Sequence, residues 1–274
     1  MSFLRKEKEK CKTKLTVGFA GKDEIEEYLE RVAQTGDKGF EEHLIAYIDF
    51  LGIKERMQKN SSYESLQILK FILENAKKKA AYISDINTIN NFDIKVFSDN
   101  IVFAQIINKD KLCDQIISIV NLIALIQFEA FFQFDFPIRG GITIGELYID
   151  NSIVWGTGLI DAYSMESFLA NYPRVLVSPN ILKLYEECEN KTLNLYALIK
   201  KDNDGAWFVD YLMAAPNLKL IPEISASLFD KSKAHENDDP KVRQKINWII
   251  SYFNSYCYKF KDRGDYERYI IPFI

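Results

Sequence analysis

The most apolar stretch of the chain, residues 116–134, sets the first limit on what it can fold into. Crossing a bilayer takes about 20 mostly apolar residues, and this stretch is nearly that long. Four polar side chains interrupt it, however: Asn121, Gln127, Glu129 and Gln133. We interpret it as a helix buried in a protein interior, and we expect no stable association with a membrane.

Composition predicts a large core and argues against nucleic acid as a partner. Of the 274 residues, 47% are hydrophobic, so the chain can bury the interior of one large domain. The formal net charge is -4, which gives no basic field to attract a phosphate backbone. The four cysteines form no C-x-x-C pair, and the N-terminus is not followed by an apolar signal segment. These features predict reduced thiols and a cytoplasmic location.

Runs with strand spacing and runs with helix spacing alternate along the chain. The expected elements, in order, are a helix over residues 22–34, a strand over 43–50, a helix over 61–82, a hairpin over 93–107, the apolar helix over 116–134, a strand over 138–149, a helix over 158–170, a strand over 174–178, a short helix over 179–187, a hairpin over 193–212 and, after a polar stretch at 225–240, a helix over 241–261. This order predicts an α+β fold with helices mainly on one face of a sheet.

Two aspartates are candidates for chemistry. Asp49 lies inside the apolar run IAYIDFLG, where a buried carboxylate is costly unless it is paired or binds a metal. It could instead cap the loop in which the strand ends. Asp99 occupies the tip of the predicted hairpin, in a Ser-Asp-Asn corner typical of turns. If the two elements are neighbours, both carboxylates lie at one strand end and form a site for hard cations.

Four short motifs in a fixed order resemble the class III adenylate and guanylate cyclases. They are YIDFLG at residues 47–52, KVFSDN at 95–100, RGGITIGE at 139–146 and WGTGLIDAYSMES at 155–167. The resemblance spans residues 43–212 and implies a ferredoxin-like antiparallel or mixed sheet. It also implies a lyase that joins the ribose 3'-hydroxyl of a nucleoside triphosphate to its α-phosphate and releases pyrophosphate. The motif glycines Gly140, Gly141 and Gly145 are expected to allow close backbone approach rather than to do chemistry.

The resemblance assigns metal-binding roles to three residues. It makes Asp49 and Asp99 the catalytic ligands of two Mn²⁺ or Mg²⁺ ions, and the backbone carbonyl of Phe50 a further ligand. Two ions held in this way would activate the attacking hydroxyl and neutralise the leaving pyrophosphate.

The resemblance also assigns the nucleotide contacts. Lys95 matches the position that reads the base, although an ordinary solvated lysine at a strand edge would look the same. Lys200, or its neighbour Lys201, matches the lysine that holds the terminal phosphates. Because family sites form between two protomers, with the aspartates from one and the base-reading lysine from the other, the resemblance implies a head-to-tail homodimer.

Three positions depart from the purine cyclases. The family helix carries an asparagine and, four residues later, an arginine that stabilise the ribose and the transferring phosphate; these positions are Ile160 and Ser164 here. The second base-reading position is Ile153, whose side chain cannot form a hydrogen bond. Arg139 and Arg174 are candidates for replacing the missing arginine.

Tyr47 lies two residues before Asp49, so strand alternation puts both side chains on one face. A bulky phenol beside the metals would shrink the base pocket, although plain core packing explains a strand tyrosine equally well. Together with the RGGITIG strand and the AYSMES helix, this residue resembles the pyrimidine cyclases of the bacterial Pycsar anti-phage systems. Those enzymes make cyclic UMP or cyclic CMP, which activates a separate effector.

The leading hypothesis is therefore a uridylate or cytidylate cyclase that uses UTP or CTP. A purine cyclase with altered contacts and a nucleotide sensor without turnover are the alternatives. The expected organisation is a helical N-terminal extension in residues 1–40, the cyclase domain in 41–222 and a helical C-terminal extension in 223–274.

Overall fold

The computed structural model describes residues 22–34, 39–53, 62–80, 92–189, 191, 193–213, 220–264 and 266–273. The chain divides into two units, residues 1–39 and 40–274. In the first unit, helix α1 covers Lys22–Gln34, as the sequence predicts. Every other element belongs to the second unit.

The described part of the second unit contains eight strands and six helices. The strands are β1 (Glu41–Phe50), β2 (Asp93–Phe97), β3 (Asn100–Ile106), β4 (Ile138–Ile149), β5 (Val154–Trp155), β6 (Val175–Val177), β7 (Ile199–Lys201) and β8 (Trp207–Val209). The helices are α2 (Ser62–Ala80), α3 (Leu112–Phe134), α4 (Thr157–Ser164), α5 (Pro179–Glu187), α6 (Ile221–Ala234) and α7 (Pro240–Lys259). A π-helical turn, Met165–Leu169, continues α4.

The strands form one sheet in the order β2-β3-β1-β4-β6-β8-β7, and β5 pairs with the far end of β4. Each neighbouring pair among β2, β3, β1 and β4 is antiparallel, while β6 runs parallel to β4. Chain order β1-α2-β2-β3-α3-β4 with spatial order β2-β3-β1-β4 is the ferredoxin-like arrangement. The predicted α+β fold with a mixed sheet is therefore confirmed.

Helix α3 is the centre of the core, as its apolar sequence predicts. The span Lys109–Phe134 is long and apolar enough to cross a membrane by length and composition alone, but 94% of its apolar 18-residue window is buried inside the protein. It packs with α2 on the face of the sheet formed by Leu44, Ala46 and Ile48 of β1. The helix ends at Asp135, which takes the left-handed conformation at φ 60° and donates its amide to Ala130 and Phe131.

The opposite face of the sheet is only partly covered. A small cluster there joins Ile45, Val102, Ala104 and Leu147 to Ala162 of α4. This close approach needs glycine, since a Cβ on Gly141 would lie 2.5 Å from the Met165 Cβ and one on Gly145 would lie 2.7 Å from the Gly158 Cα. The structural role expected for the motif glycines is confirmed.

Two features of the second unit differ from expectation. Helix α6 fills much of the polar stretch before the last helix, because Ile221, Ile224 and Leu228 are enough to bury one side of it. The cysteines are not all reduced thiols, since Cys113 and Cys188 form a disulfide with Cα atoms 6.2 Å apart. Separated by 75 residues, the pair meets only because the start of α3 lies beside the end of α5.

Candidate active site

Asp49 and Asp99 are brought together at one end of the sheet. Asp49 is the penultimate residue of β1 and pairs across the ladder with Asn100, the first residue of β3. Asp99 lies in the β2–β3 turn, where Ser98 takes φ 60°. The amide of Phe50 donates to the Asp99 carbonyl at 3.0 Å, and the Asn100 side chain donates to the Asp99 carboxylate at 3.2 Å. The predicted juxtaposition of a strand end and a hairpin tip is thus present.

A cation from the neighbouring strand also reaches Asp49. Arg139 pairs with Asp49 across β1 and β4, and its Nε donates to Asp49 Oδ2 at 3.0 Å. The same Nε lies 2.5 Å from Oε1 of Glu166, which belongs to the π-helical turn after α4. Glu166 is buried, and its Oε2 accepts a hydrogen bond from the Ser167 hydroxyl at 2.6 Å. Arg139 therefore lies between two carboxylates.

The electrostatics of Asp49 reflect this crowding. Burial raises the pKa of Asp49 above its ordinary value, the Arg139 hydrogen bond opposes that shift, and Glu166 and Asp99 add to it. Asp49 and Glu166 thus both contact the Arg139 guanidinium, and Asp99 is near enough to act on Asp49 electrostatically. A partly buried carboxylate whose pKa is shifted by burial and by neighbouring charges is a candidate for a functional site.

Tyr47 lies on the same face as Asp49, as predicted. Burial, together with the neighbouring Glu166 and Asp49 carboxylates, raises the pKa of Tyr47 to about 12, so its hydroxyl stays protonated at neutral pH. Its ring meets that of Tyr163 on α4 edge-on, with centroids 5.6 Å apart. The two tyrosines form an aromatic wall beside the carboxylates.

Lys95 shares the open face of the sheet with Tyr47. It lies on β2 opposite Val102, and Val102 in turn lies opposite Tyr47, so the three side chains form one row across the strands. With strands about 4.8 Å apart, Lys95 is roughly 10 Å from Tyr47. Lys95 is half-buried at the edge strand, and no contact joins it to Asp49 within the described residues.

Lys200 lies at the opposite edge of the sheet, on β7. Its ammonium donates to the Ser255 hydroxyl of α7 and lies 5.2 Å from the centroid of the Tyr252 ring. Burial lowers the pKa of Lys200, and the carboxylate of Asp210 opposes that shift. Within one chain, Lys200 therefore does not meet the aspartates.

Arg174 has a structural environment. Its side chain is fully buried and pairs with Asp202 and Asp204 of the β7–β8 turn. The indole of Trp248 on α7 donates to the same Asp202 carboxylate at 2.8 Å. Arg174 thus ties β6, the β7–β8 turn and α7 together, which leaves Arg139 as the arginine beside the carboxylates.

The donor set suits a hard divalent cation that keeps water and substrate ligands. Asp49 and Asp99 offer carboxylate oxygens at one strand end, and Phe50, whose amide donates to Asp99, adds a backbone carbonyl; all are ligands that Mg²⁺ and Mn²⁺ accept. No three His, Cys, Asp or Glu side chains of the described residues are gathered closely enough to hold an ion by themselves. Mg²⁺ usually keeps several waters and takes further ligands from substrate phosphates, so two carboxylates fit such an ion.

A cavity of about 430 Å³ lies elsewhere, at the opposite end of β1. Glu42, Asp110 and the disulfide between Cys113 and Cys188 line it. None of the predicted site residues borders this cavity, so the carboxylate cluster on the open sheet face is the candidate site.

Sequence reasoning missed the contacts of Arg139, Glu166 and Tyr163 with the site. Arg139 follows Asp49 by 90 positions, and only the β1–β4 register places the two opposite each other. The signal that could have found them is the motif order itself, since RGG opens the strand that pairs with YIDF.

Solved structures with similar folds are cyclase domains. The guanylyl cyclase domain of the RhoGC fusion protein from the aquatic fungus Blastocladiella emersonii is 11% identical, covers 63% of this chain and 96% of its own, and has a TM-score of 0.45. The guanylate cyclase domain of RhGC from Catenaria anguillulae, in complex with GTP, is 13% identical, with coverages of 63% and 97% and a TM-score of 0.42. A bacterial light-regulated adenylyl cyclase is 12% identical, with coverages of 68% and 63% and a TM-score of 0.39. No protein-family model and no curated protein matches the sequence. Residue roles must therefore be argued from the site.

Proposed function

We propose that this protein is a metal-dependent pyrimidine nucleotide cyclase, which converts UTP or CTP to the 3',5'-cyclic monophosphate and pyrophosphate. The observation that carries the proposal is the placement of Asp49 and Asp99 on adjoining elements at one strand end, beside a buried Glu166 and a guanidinium. Residues 41–222 would form the catalytic domain, between extensions at 1–40 and 223–274. The reaction needs no side-chain base if two Mn²⁺ or Mg²⁺ ions bind here, because bound divalent ions acidify a hydroxyl and neutralise a leaving pyrophosphate.

The chain's own residues would bind and orient the nucleotide. Asp49, Asp99 and the Phe50 carbonyl would hold the ions, and Arg139 would supply the positive charge that Ile160 and Ser164 no longer give. Arg139 suits this role because it is partly exposed and lies directly beside Asp49.

Tyr47 and Tyr163 support a single-ring base. Two phenol rings in edge-on contact narrow the space beside Asp49, and Tyr47 offers a protonated hydroxyl that can donate to a base carbonyl. Lys95 lies in the same row across the sheet. In a shared site, the Lys95 that reads the base would come from the partner protomer. An adenine or guanine has a second ring to accommodate in this space.

A head-to-tail homodimer would complete the site. The surface around α4 exposes large apolar side chains, with Phe168 71% and Leu169 57% accessible next to Glu166. Large exposed apolar patches on a protein often mark surfaces that bind another molecule. Lys200 lies at the far edge of the sheet and no contact joins Lys95 to Asp49 within the described residues, so a second copy would bring a lysine to the aspartates.

The decisive experiment incubates the protein with each of the four ribonucleoside triphosphates and Mn²⁺, and identifies products by mass spectrometry. We expect cyclic UMP or cyclic CMP from wild-type protein and none from the Asp49→Ala or Asp99→Ala variants. Asp93→Ala removes an exposed carboxylate from the adjoining strand and should keep activity. Cyclic AMP or cyclic GMP would overturn the pyrimidine assignment, and nucleotide binding without any product would establish a sensor instead.

A mixing experiment tests the shared site. In a head-to-tail dimer, Asp49→Ala and Lys95→Ala protomers each lack activity, but a mixed dimer contains one site in which both residues are intact. Random exchange should restore about one quarter of wild-type activity, since half of the dimers are mixed and one of their two sites is complete. No recovery on mixing, despite exchange shown by differential labelling, would refute the shared site.

The wider role follows from the product. A cytoplasmic cyclase of this kind would act in anti-phage defence through a separate effector that its cyclic product activates. Phage challenge of cells carrying the gene with its neighbours, with wild-type or Asp49→Ala protein, tests this role. Equal phage sensitivity of both would exclude it.

A further inference from the structure

We propose that Arg139 is an internal counter-cation which a divalent ion displaces from Asp49, and that Glu166 retains the displaced guanidinium beside the site. The proposal rests on the metal-binding role of Asp49 given above. It adds a positioning role for Glu166 and a competition that controls metal affinity.

The geometry already provides two acceptors for the guanidinium. The single Nε hydrogen of Arg139 is directed to Asp49 Oδ2 at 3.0 Å. Oε1 of Glu166 lies 2.5 Å from the same nitrogen but accepts no hydrogen bond from any described residue. A rotation of the Arg139 side chain would therefore transfer its hydrogen bond from Asp49 to Glu166, without any backbone movement.

Glu166 is held firmly enough to act as the second acceptor. It lies in the π-helical turn, which is closed by the Ala170 amide donating to the Met165 carbonyl at 2.8 Å. Such turns occur frequently at functional sites. The Glu166 side chain is 4% exposed, and Arg139 is its only ion-pair partner in the described part of the chain. Losing that partner would leave a buried charge uncompensated, so Glu166 holds Arg139 close by.

Competition between two cations has a thermodynamic consequence. Arg139 neutralises Asp49 in the absence of metal, and a divalent ion must displace it, so the apparent metal affinity is lowered. A triphosphate offers the displaced guanidinium a new bidentate partner. Nucleotide should therefore strengthen metal binding at Asp49, and linkage requires that metal strengthens nucleotide binding by the same factor.

Mn²⁺ binding measured by electron paramagnetic resonance, with no turnover involved, tests the exchange. Arg139→Met should bind Mn²⁺ about 10-fold more tightly, because no cation competes for Asp49. Glu166→Gln should bind it about 10-fold more weakly, since Arg139 then pairs with Asp49 alone and the site loses one negative charge. Arg139→Lys keeps the cation and should stay near the wild-type affinity, and Glu187→Gln removes an exposed carboxylate at the end of α5 as a matched control.

A thermal melt adds a second readout. Arg139→Met should melt below wild type in metal-free buffer, and Mn²⁺ should restore most of the difference. Mn²⁺ affinity of wild type should rise when a triphosphate lacking the 3'-hydroxyl is added, and this gain should be smaller in Arg139→Met.

The outcomes separate this proposal from the proposed function. Opposite changes in Mn²⁺ affinity for Arg139→Met and Glu166→Gln support the exchange. If both variants bind more weakly or as wild type does, while Asp49→Asn abolishes binding, the metal site stands and the exchange is refuted. If Asp49→Asn binds Mn²⁺ as wild type does, both are refuted.

Discussion

Replacing Arg174 with Met should destabilise the protein strongly and leave its chemistry intact. Arg174 and Arg139 are both arginines near strands, and either could be thought to replace the arginine missing from α4. Arg174 is fully buried, however, and both of its carboxylate partners lie in the β7–β8 turn. Its removal therefore affects packing and charge balance rather than the carboxylate cluster.

The magnitude follows from the two partners separately. The Asp202 side chain is 16% exposed, so it would be left as a largely buried charge with the Trp248 N–H and the Asn203 amide as its remaining donors. Asp204 is 49% exposed, so water would solvate it and its share is small. Breaking a buried pair costs about 3–5 kcal/mol, and we expect about 3 kcal/mol here because Trp248 and the Asn203 amide still satisfy Asp202 in part. For a domain of this size, that loss lowers Tm by about 6–12 °C.

Circular dichroism melts of Arg174→Met and Lys183→Met measure the difference. Lys183 is an exposed cation 3.9 Å from Glu187 on α5, so its removal changes the same formal charge at a cost of about 0.5 kcal/mol or less. Turnover of Arg174→Met at a temperature where it is folded should lie within about 2-fold of wild type, because nothing at the reacting centre changes. An unchanged Tm together with lost turnover would refute the structural role of Arg174.

Three further predictions concern the site and its support. Asp49→Asn should abolish turnover yet raise Tm, and the gain should be absent below pH about 3.9 and grow as pH rises. Burial raises the pKa of Asp49, so the ionised carboxylate opposes folding and its removal raises Tm. A lower Tm for Asp49→Asn at pH 7 would contradict this reasoning. Gly141→Ala should cost about 1–3 kcal/mol, because its Cβ would lie 2.5 Å from the Met165 Cβ, whereas Gly39→Ala, with no atom within 4 Å of its Cβ, should change Tm little. Lys200→Met should raise KM for the triphosphate about 10-fold with little change in Tm; an unchanged KM with a lower Tm would restrict Lys200 to packing against α7.

The part of the site that could be predicted from the sequence depends on local rules. A buried strand that ends at a carboxylate and a tight turn that carries another are both visible in short stretches of sequence, and the sheet brings Asp49 beside Asn100. The alternation of strand and helix spacing predicted the α+β fold, and the motif resemblance implied its ferredoxin-like sheet. These features rest on burial and turn chemistry within about ten residues.

The rest depends on register and on residues far apart in the chain. Arg174 lies in the stretch YPRVLV, which resembles a strand with a cation at its edge, and its burial becomes visible only when Asp202, Asp204 and Trp248 surround it. The disulfide likewise requires the end of α5 to meet the start of α3. Tertiary packing decides which side chains of distant segments pair. Hydrophobic periodicity predicts secondary structure and carries no information about such pairs.

The altered helix positions and the intact aspartate pair are compatible because electrostatic stabilisation depends on where a charge lies, not on which element supplies it. Ile160 and Ser164 remove an amide and a cation from α4, but Arg139 on β4 already places a guanidinium between Asp49 and the π-helical turn that follows α4. Under the proposed function, Glu166 would make that placement compatible with metal binding, since an arginine paired with Asp49 alone would neutralise Asp49 and compete with the ion. Under the proposed function, Glu166 would therefore give Arg139 a second acceptor and keep its guanidinium beside the site when Asp49 binds an ion.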